Sequence, residues 1–176
     1  MTDRLVASYA DALFSVASAE GDPVVIEDEL FRFAQVFRAD DDLQSSLGEP
    51  SVPASRRQQI VEDLLGGQAN AATIAVVSMV VAAGRASSFP AIVDAFVERS
   101  AASRNKTVAT VRSAVELTED QANRLTAALN GATGKDVEVK VVVDPSVLGG
   151  VVTEIGDDII DGSVRRRLSQ LRESFG

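Results

Sequence analysis

The sequence predicts a two-part chain, an N-terminal all-α six-helix bundle over residues 1–105 followed by a small α+β domain over residues 106–176. In the first part, apolar residues recur at helical spacing between short turns marked by Gly and Pro. From Lys106 onward the pattern switches to period-two alternation rich in Val and Thr, which is strand chemistry. Apolar residues make up 45% of the chain, yet there is no Trp and only one Tyr, so its core consists mainly of small aliphatic side chains. Such side chains let helices approach closely and do not line an aromatic pocket.

The first helix lies in "TDRLVASYADALFSVASAEGD". Leu5, Tyr9, Leu13 and Val16 form one stripe, and Val6, Ala10, Phe14 and Ala17 form a second beside it. Together they make an apolar face wider than one core contact needs. Gly21 ends the helix, and Asp22 with Pro23 starts the second, which keeps Ile26, Leu30, Phe33, Ala34 and Phe37 in phase. A short third helix follows at "DDDLQSSL", closed by Gly48 and Pro50. Ser51 and Pro53 open a fourth that carries Ile60, Val61, Leu64 and Leu65. Asn70 caps the fifth, "AATIAVVSMVVAAG", which has no charge before Arg85 and ends at Gly84. Ser88 and Pro90 begin the sixth, with Ile92, Val93, Phe96 and Val97, and "RSAASRNK" (99–106) is the expected linker.

In the second part "TVATVRSAVEL" alternates as a strand, and "TEDQANRLTAALNGATG" is a helix capped by Thr118. "KDVEVKVVVD" is a second strand, and "GGVVTEIGDDIID" supplies two more. "GSVRRRLSQLRESF" closes the chain as a helix with Val164, Leu168 and Leu171 on one side.

Composition removes several function classes. With no Cys and no His there are no disulfides, no thiolate chemistry, no usual zinc ligand set and no imidazole base. A metal would rest on carboxylates, but Asp40, Asp41 and Asp42 lack the alternating spacing of a calcium loop and read as a solvated helix start. The net charge is −9, a poor starting point for nucleic-acid binding. Residues 1–105 hold 15 acids and 8 bases (net −7), and residues 106–176 hold 11 and 9 (net −2). Asp3 and Arg4 interrupt any signal peptide, and the uncharged run at 66–84 has an apolar part shorter than the roughly 20 residues that cross a bilayer. The expectation is a soluble, intracellular protein.

The stretch "DPSVLGGVVTEIGDDIIDGSVRRRLSQL" (144–171) concentrates the features that suggest chemistry. Gly149 and Gly150 precede a strand, whereas a phosphate loop needs glycines that lead into a helix, so they read as a bend between strands. Asp157, Asp158 and Asp161 fit a tight turn and a strand end better than an acid–base pair. Ser163 with Lys140 lacks any nucleophile-elbow motif. Arg165, Arg166 and Arg167 are about 100° apart around a helix, so they form no single stripe, and no aromatic residues interleave for base stacking. No catalytic, cofactor-binding or metal site is expected.

The same stretch, with "YADALF" near the start and "GR" after the fifth helix, resembles the delta subunit of bacterial rotary ATP synthases, relatives of the mitochondrial oligomycin-sensitivity-conferring protein. The resemblance runs along essentially the whole chain, and its specific part is the D-x-S-x-x-G-G-V run with "IGDDIIDGSVRRRLSQL". It implies a non-catalytic stator subunit that links the catalytic alpha-beta head to the peripheral stalk, so that the head does not turn with the rotor. The implied partners are a helical N-terminal segment of the alpha subunit, held between the first and fifth helices, and the b subunit, met by the C-terminal domain. No cofactor and no nucleic acid are implied, and one copy per complex is.

By position, the candidate alpha contacts are Tyr9, Ala12, Leu13 and Val16 with Ile74, Val77, Ser78 and Met79; Leu13, Val16, Ile74 and Val77 read equally well as internal core. Ala12 and Ser78 matter by being small. The candidate b contacts are Val164, Arg165, Arg166, Arg167, Leu168 and Leu171. Because the chain begins at the first helix, it is expected to be a separate subunit, with b supplied in trans. Membrane association is then indirect, on the cytoplasmic face, through the complex. The alternatives are a helical adaptor that binds some amphipathic helix outside the synthase, and an enzyme using Asp or Glu with Mg.

Overall fold

The computed structural model describes residues 2–20, 22–156 and 158–161. The chain divides into two compact units, Met1–Ser100 and Ala101–Gly176. The first is helical: α1 (Thr2–Glu20), α2 (Pro23–Ala39), α3 (Asp41–Gly48), α4 (Ala54–Leu65), α5 (Ala71–Ala82), a 3-10 turn (Ala86–Ser88) and α6 (Phe89–Ser103). The second is α/β: β1 (Thr107–Ser113), α7 (Glu119–Thr133), β2 (Val137–Val143), β3 (Val151–Ile155) and β4 (Asp158–Asp161). Among the described residues no helix is long and apolar enough to cross a membrane.

Local chemistry explains most of the helix boundaries. Asp22 caps α2 through the Val24 N–H, with Pro23 at the first helical position, where a missing N–H costs nothing. Asp40 caps α3 through the Leu43 N–H, and Asp41 and Asp42 occupy its first turn, so this acidic run is a helix start. Asn70 caps α5 through the Ala72 N–H, and Gly84 follows its C-terminus at φ 69°. Two expected helix starts differ. α4 starts after Pro53 without a side-chain cap, and the Ser51 hydroxyl turns instead to Glu49. Ser88 lies in the 3-10 turn, its N–H bonded to the Arg85 carbonyl, and α6 begins one residue later. The segment expected as a linker is helical as far as Ser103.

The core of the first unit is built from α2, α5 and α6. Leu30, Phe33 and Phe37 of α2, Val77 and Val80 of α5 and Phe89, Ile92 and Phe96 of α6 are all buried. Phe89 stands edge-to-face with Phe33 at 5.6 Å and with Phe37 at 6.1 Å, the geometry that ring quadrupoles favour.

In the second unit the strand order is β2-β1-β3-β4, with β1 parallel to β2 and antiparallel to β3. Parallel neighbours require a crossover, which α7 supplies. Ala109, Val137 and Ile155 bury one face of the sheet with Leu129 of α7, and Leu125 and Val139 pack against them. The first strand stops at Ser113, short of the alternation that continues to Leu117. Its parallel partner ends at Val143, and the Asp144 N–H makes the last rung to the Ser113 carbonyl; the next groups in phase, the Asp144 carbonyl and the Ser146 N–H, are taken by the turn, bonding the Val147 N–H and the Asp144 side chain. Gly149 and Gly150, at φ 69° and 73°, let the chain bend back into β3, as a pair of strand-flanking glycines should.

Thr118 and Gln121 form a reciprocal capping box at the start of α7. Thr118→Ala is expected to lower the stability of the second unit by about 1 kcal/mol, and Thr118→Ser to leave it nearly unchanged, in urea unfolding followed by far-ultraviolet circular dichroism.

Candidate functional site

α1 carries an apolar arc from Ala12 through Leu5, Val16, Tyr9, Leu13 and Ala10 to Phe14, spanning roughly 200° at 100° per residue. The middle of the arc, Ala10, Leu13 and Ala17, is buried. One flank is closed by α6: the Arg99 guanidinium lies 4.9 Å from the Phe14 ring centroid and bonds Asp11 at 3.1 Å. The other flank is open. Tyr9 is half-buried, Ala12 is exposed, and Val16 keeps 37% of its surface.

α5 contacts α1, α2 and α4. Val76, Val77, Val80 and Val81 form its buried side, while Ala71, Ala75 and Met79, at i, i+4 and i+8, form an exposed stripe. Met79 is 45% exposed, Ile74 is half-buried, and Ser78 sits at the margin with 9% exposed. The Ser78 hydroxyl is buried and finds no hydrogen-bond partner among the described residues.

The residues read from the sequence as one set therefore divide. Leu13 and Val77, both fully buried, have no free surface to offer. Tyr9, Ala12, Val16, Ile74 and Met79 retain accessible apolar surface, and Ser78 lies at its edge. Sequence reasoning passed over Ala71 and Ala75, although their i, i+4 spacing to Met79 was readable. It also passed over Glu29, whose carboxylate accepts the Asn70 N–H at 2.9 Å and the Thr73 hydroxyl.

In the second unit, charge gathers on the sheet face away from Ala109 and Val111. Glu138 accepts hydrogen bonds from Arg104 at 2.8 Å and Lys140 at 3.2 Å, and Arg112 of β1 pairs with Glu154 of β3. Lys140 is buried beside this carboxylate. Burial pushes the Glu138 carboxyl up, but the hydrogen bonds and charges of Arg104 and Lys140 outweigh it and hold the group below its ordinary value of 4.5. In the loop before β3, the hydroxyl and backbone N–H of Ser146 hold the Asp144 carboxyl below its ordinary range. Asp144 thus serves a turn. Among the described residues no group of three or more acidic side chains is placed to hold a metal. Val164, Arg165, Arg166, Arg167, Leu168 and Leu171 lie outside the described residues, as do Asp157 and Ser163.

The ATP synthase delta (OSCP) subunit family model matches residues 5–175. ATP synthase subunits delta of Nocardia farcinica and Rhodococcus opacus are 40% and 41% identical over 99% of this chain. The chain spans 65% and 63% of their respective lengths. The subunit delta of Desulforudis audaxviator is 34% identical over 97% of this chain and 94% of its own length. Among solved structures, a chain of the Toxoplasma gondii mitochondrial ATP synthase hexamer shares the fold, with a TM-score of 0.59 at 20% identity over 97% of each chain.

Two measurements check the site geometry. Leu13→Ala should cost about 2–5 kcal/mol of stability, as a fully buried leucine does, whereas Val16→Ala should cost well under that in the same urea titration. Glu138→Gln should cost about 1–2 kcal/mol at pH 7 through its charge-assisted hydrogen bonds. A carboxylate held below its unfolded value stabilises above that value and loses the effect as pH falls through the folded one. The gap between wild type and Glu138→Gln should therefore close as pH drops below 4.5. With its family model matched along nearly the whole length and relatives above 30% identity, the chain belongs to the ATP synthase delta (OSCP) subunit family.

Proposed function

We propose that this chain is a non-catalytic stator subunit of a proton-translocating rotary ATP synthase, joining the catalytic alpha-beta head to the b subunit of the peripheral stalk. In this reading the six N-terminal helices act as one bundle that receives the helical N-terminal segment of an alpha subunit along α1 and α5. The C-terminal unit meets b, one copy serves each complex, and the chain sits at the cytoplasmic face of the membrane through the complex alone.

The observation that carries the reading is that α1 and α5, two helices in contact, each keep apolar surface exposed. Val16 and Met79, 37% and 45% exposed, stand on two helices that touch each other, and α5 carries no charge to solvate its outer side. An amphipathic helix laid there, with anchors at i, i+3, i+4 and i+7, would cover Tyr9, Val16, Ile74 and Met79. Ala12 and Ser78 would mark its closest approach, and Leu13 and Val77 would support the floor from below. The surplus of acids over bases in residues 1–105 favours a partner segment with basic residues.

The tagged chain should pull alpha, beta and b subunits from native membranes. Recovery of properly folded chain without them would contradict the stator reading and favour an adaptor role outside the synthase. Ala12→Trp should weaken binding of a synthetic alpha N-terminal peptide by about tenfold or more, because the added ring occupies the approach of the partner helix. Ala12→Gly should retain most of the affinity, and calorimetry on the full chain measures both.

A further inference from the structure

We propose that Glu29 is a positioning residue that sets the axial height and rotation of α5, and through it the placing of Met79 and Ile74. The link from α5 to a partner rests on the function proposed above; the positioning itself does not.

Packing against α1, α2 and α4 holds α5 laterally. Its buried side is Val76, Val77, Val80 and Val81. These are four side chains of one size and shape, and apolar burial is non-directional. Dispersion holds such a helix in place laterally without specifying its register. Hydrogen bonds are directional and do specify it.

The hydrogen bonds at the C-terminal end of α5 are all internal. The N–H groups of Ala83, Gly84 and Arg85 bond to the carbonyls of Met79, Val81 and Val80. At the N-terminal end the Asn70 side chain caps its own helix through the Ala72 N–H. The Asn70 N–H and the Thr73 hydroxyl instead go to a different helix, both to Oε2 of Glu29 on α2. Thr73 is fully buried, so its hydroxyl has no water to turn to and depends on that oxygen. A carboxylate at a helix N-terminus also complements the dipole. Met79 stands six residues beyond Thr73, about 9 Å along the axis, so a change of height or rotation at the anchor is carried directly to the exposed stripe.

The test uses the full chain as wild type, Glu29→Ala, Glu29→Gln and Thr73→Val. The chain has no Cys, so Ser8→Cys and Ala75→Cys introduce two spin-label sites, one on α1 and one on α5. Pulsed electron paramagnetic resonance then reads the distance between the helices. Unlabelled protein is titrated in parallel with the synthetic alpha N-terminal peptide. Glu29→Ala is expected to shift or broaden the distance distribution and to weaken the peptide about tenfold, as loss of a charge-assisted contact does. Glu29→Gln should restore both readouts, because one oxygen accepts both hydrogen bonds and an amide oxygen can take its place. Thr73→Val, which removes one bond at nearly constant volume, should give a smaller effect in the same direction and covers the case in which Glu29→Ala does not fold. A wild-type distance distribution in folded Glu29→Ala overturns the proposal, and so does Glu29→Gln as displaced as Glu29→Ala. If the wild-type chain itself ignores the peptide, the proposed function fails, while the distances still decide the role of Glu29.

Discussion

The N-terminal unit is organised around a helix that solvent does not tolerate. From Ala71 to Ala82, α5 has no charged side chain, and a helix apolar on nearly every side must be covered on nearly every side. α1, α2 and α4 supply part of that cover. What remains is the exposed stripe of Ala71, Ala75 and Met79. Val16 and Met79 keep 37% and 45% of their surface, so covering them would contribute only part of the about 1.5–3 kcal/mol that complete burial of such a side chain does.

The C-terminal unit solves a different problem. Its parallel β1–β2 pair needs α7 as crossover, and α7 buries one sheet face through Leu129. The other face carries Glu138, Lys140, Arg104, Arg112 and Glu154 in ion pairs. A carboxylate taken partly out of water stays ionised only when paired, and here two cations share one carboxylate. This polar network explains the conspicuous lysine of β2 without any nucleophile chemistry.

Much of the fold was legible because its signals are local. Asp22-Pro23, Asn70, Gly84 and Thr118 mark helix ends by chemistry that acts over two or three residues, and all four do so in the structure. Ser51 and Ser88 carry the same kind of signal and do not cap, because Pro53 and a 3-10 turn occupy those places. The end of β1 depended on where a strand 30 residues away runs out, which periodicity within the strand itself does not report. The candidate site was legible to the same extent. Helical phase placed Leu13 and Val16 on one stripe, but only the packing of the other helices decides that one is fully buried and the other is exposed. Glu29 was beyond reach, since its bonds to Asn70 and Thr73 join residues 41 and 44 positions apart with no motif between them.

The central claim is that one apolar surface, shared by α1 and α5, takes a partner helix. Its most direct test is a nuclear magnetic resonance titration of the isotope-labelled full chain with the alpha N-terminal peptide, read as amide shifts residue by residue. The account predicts that shifts cluster on residues 5–17 and 71–83, with the Met79 methyl among the most displaced. A folded chain whose shifts fall elsewhere, or do not move at saturating peptide, would contradict it.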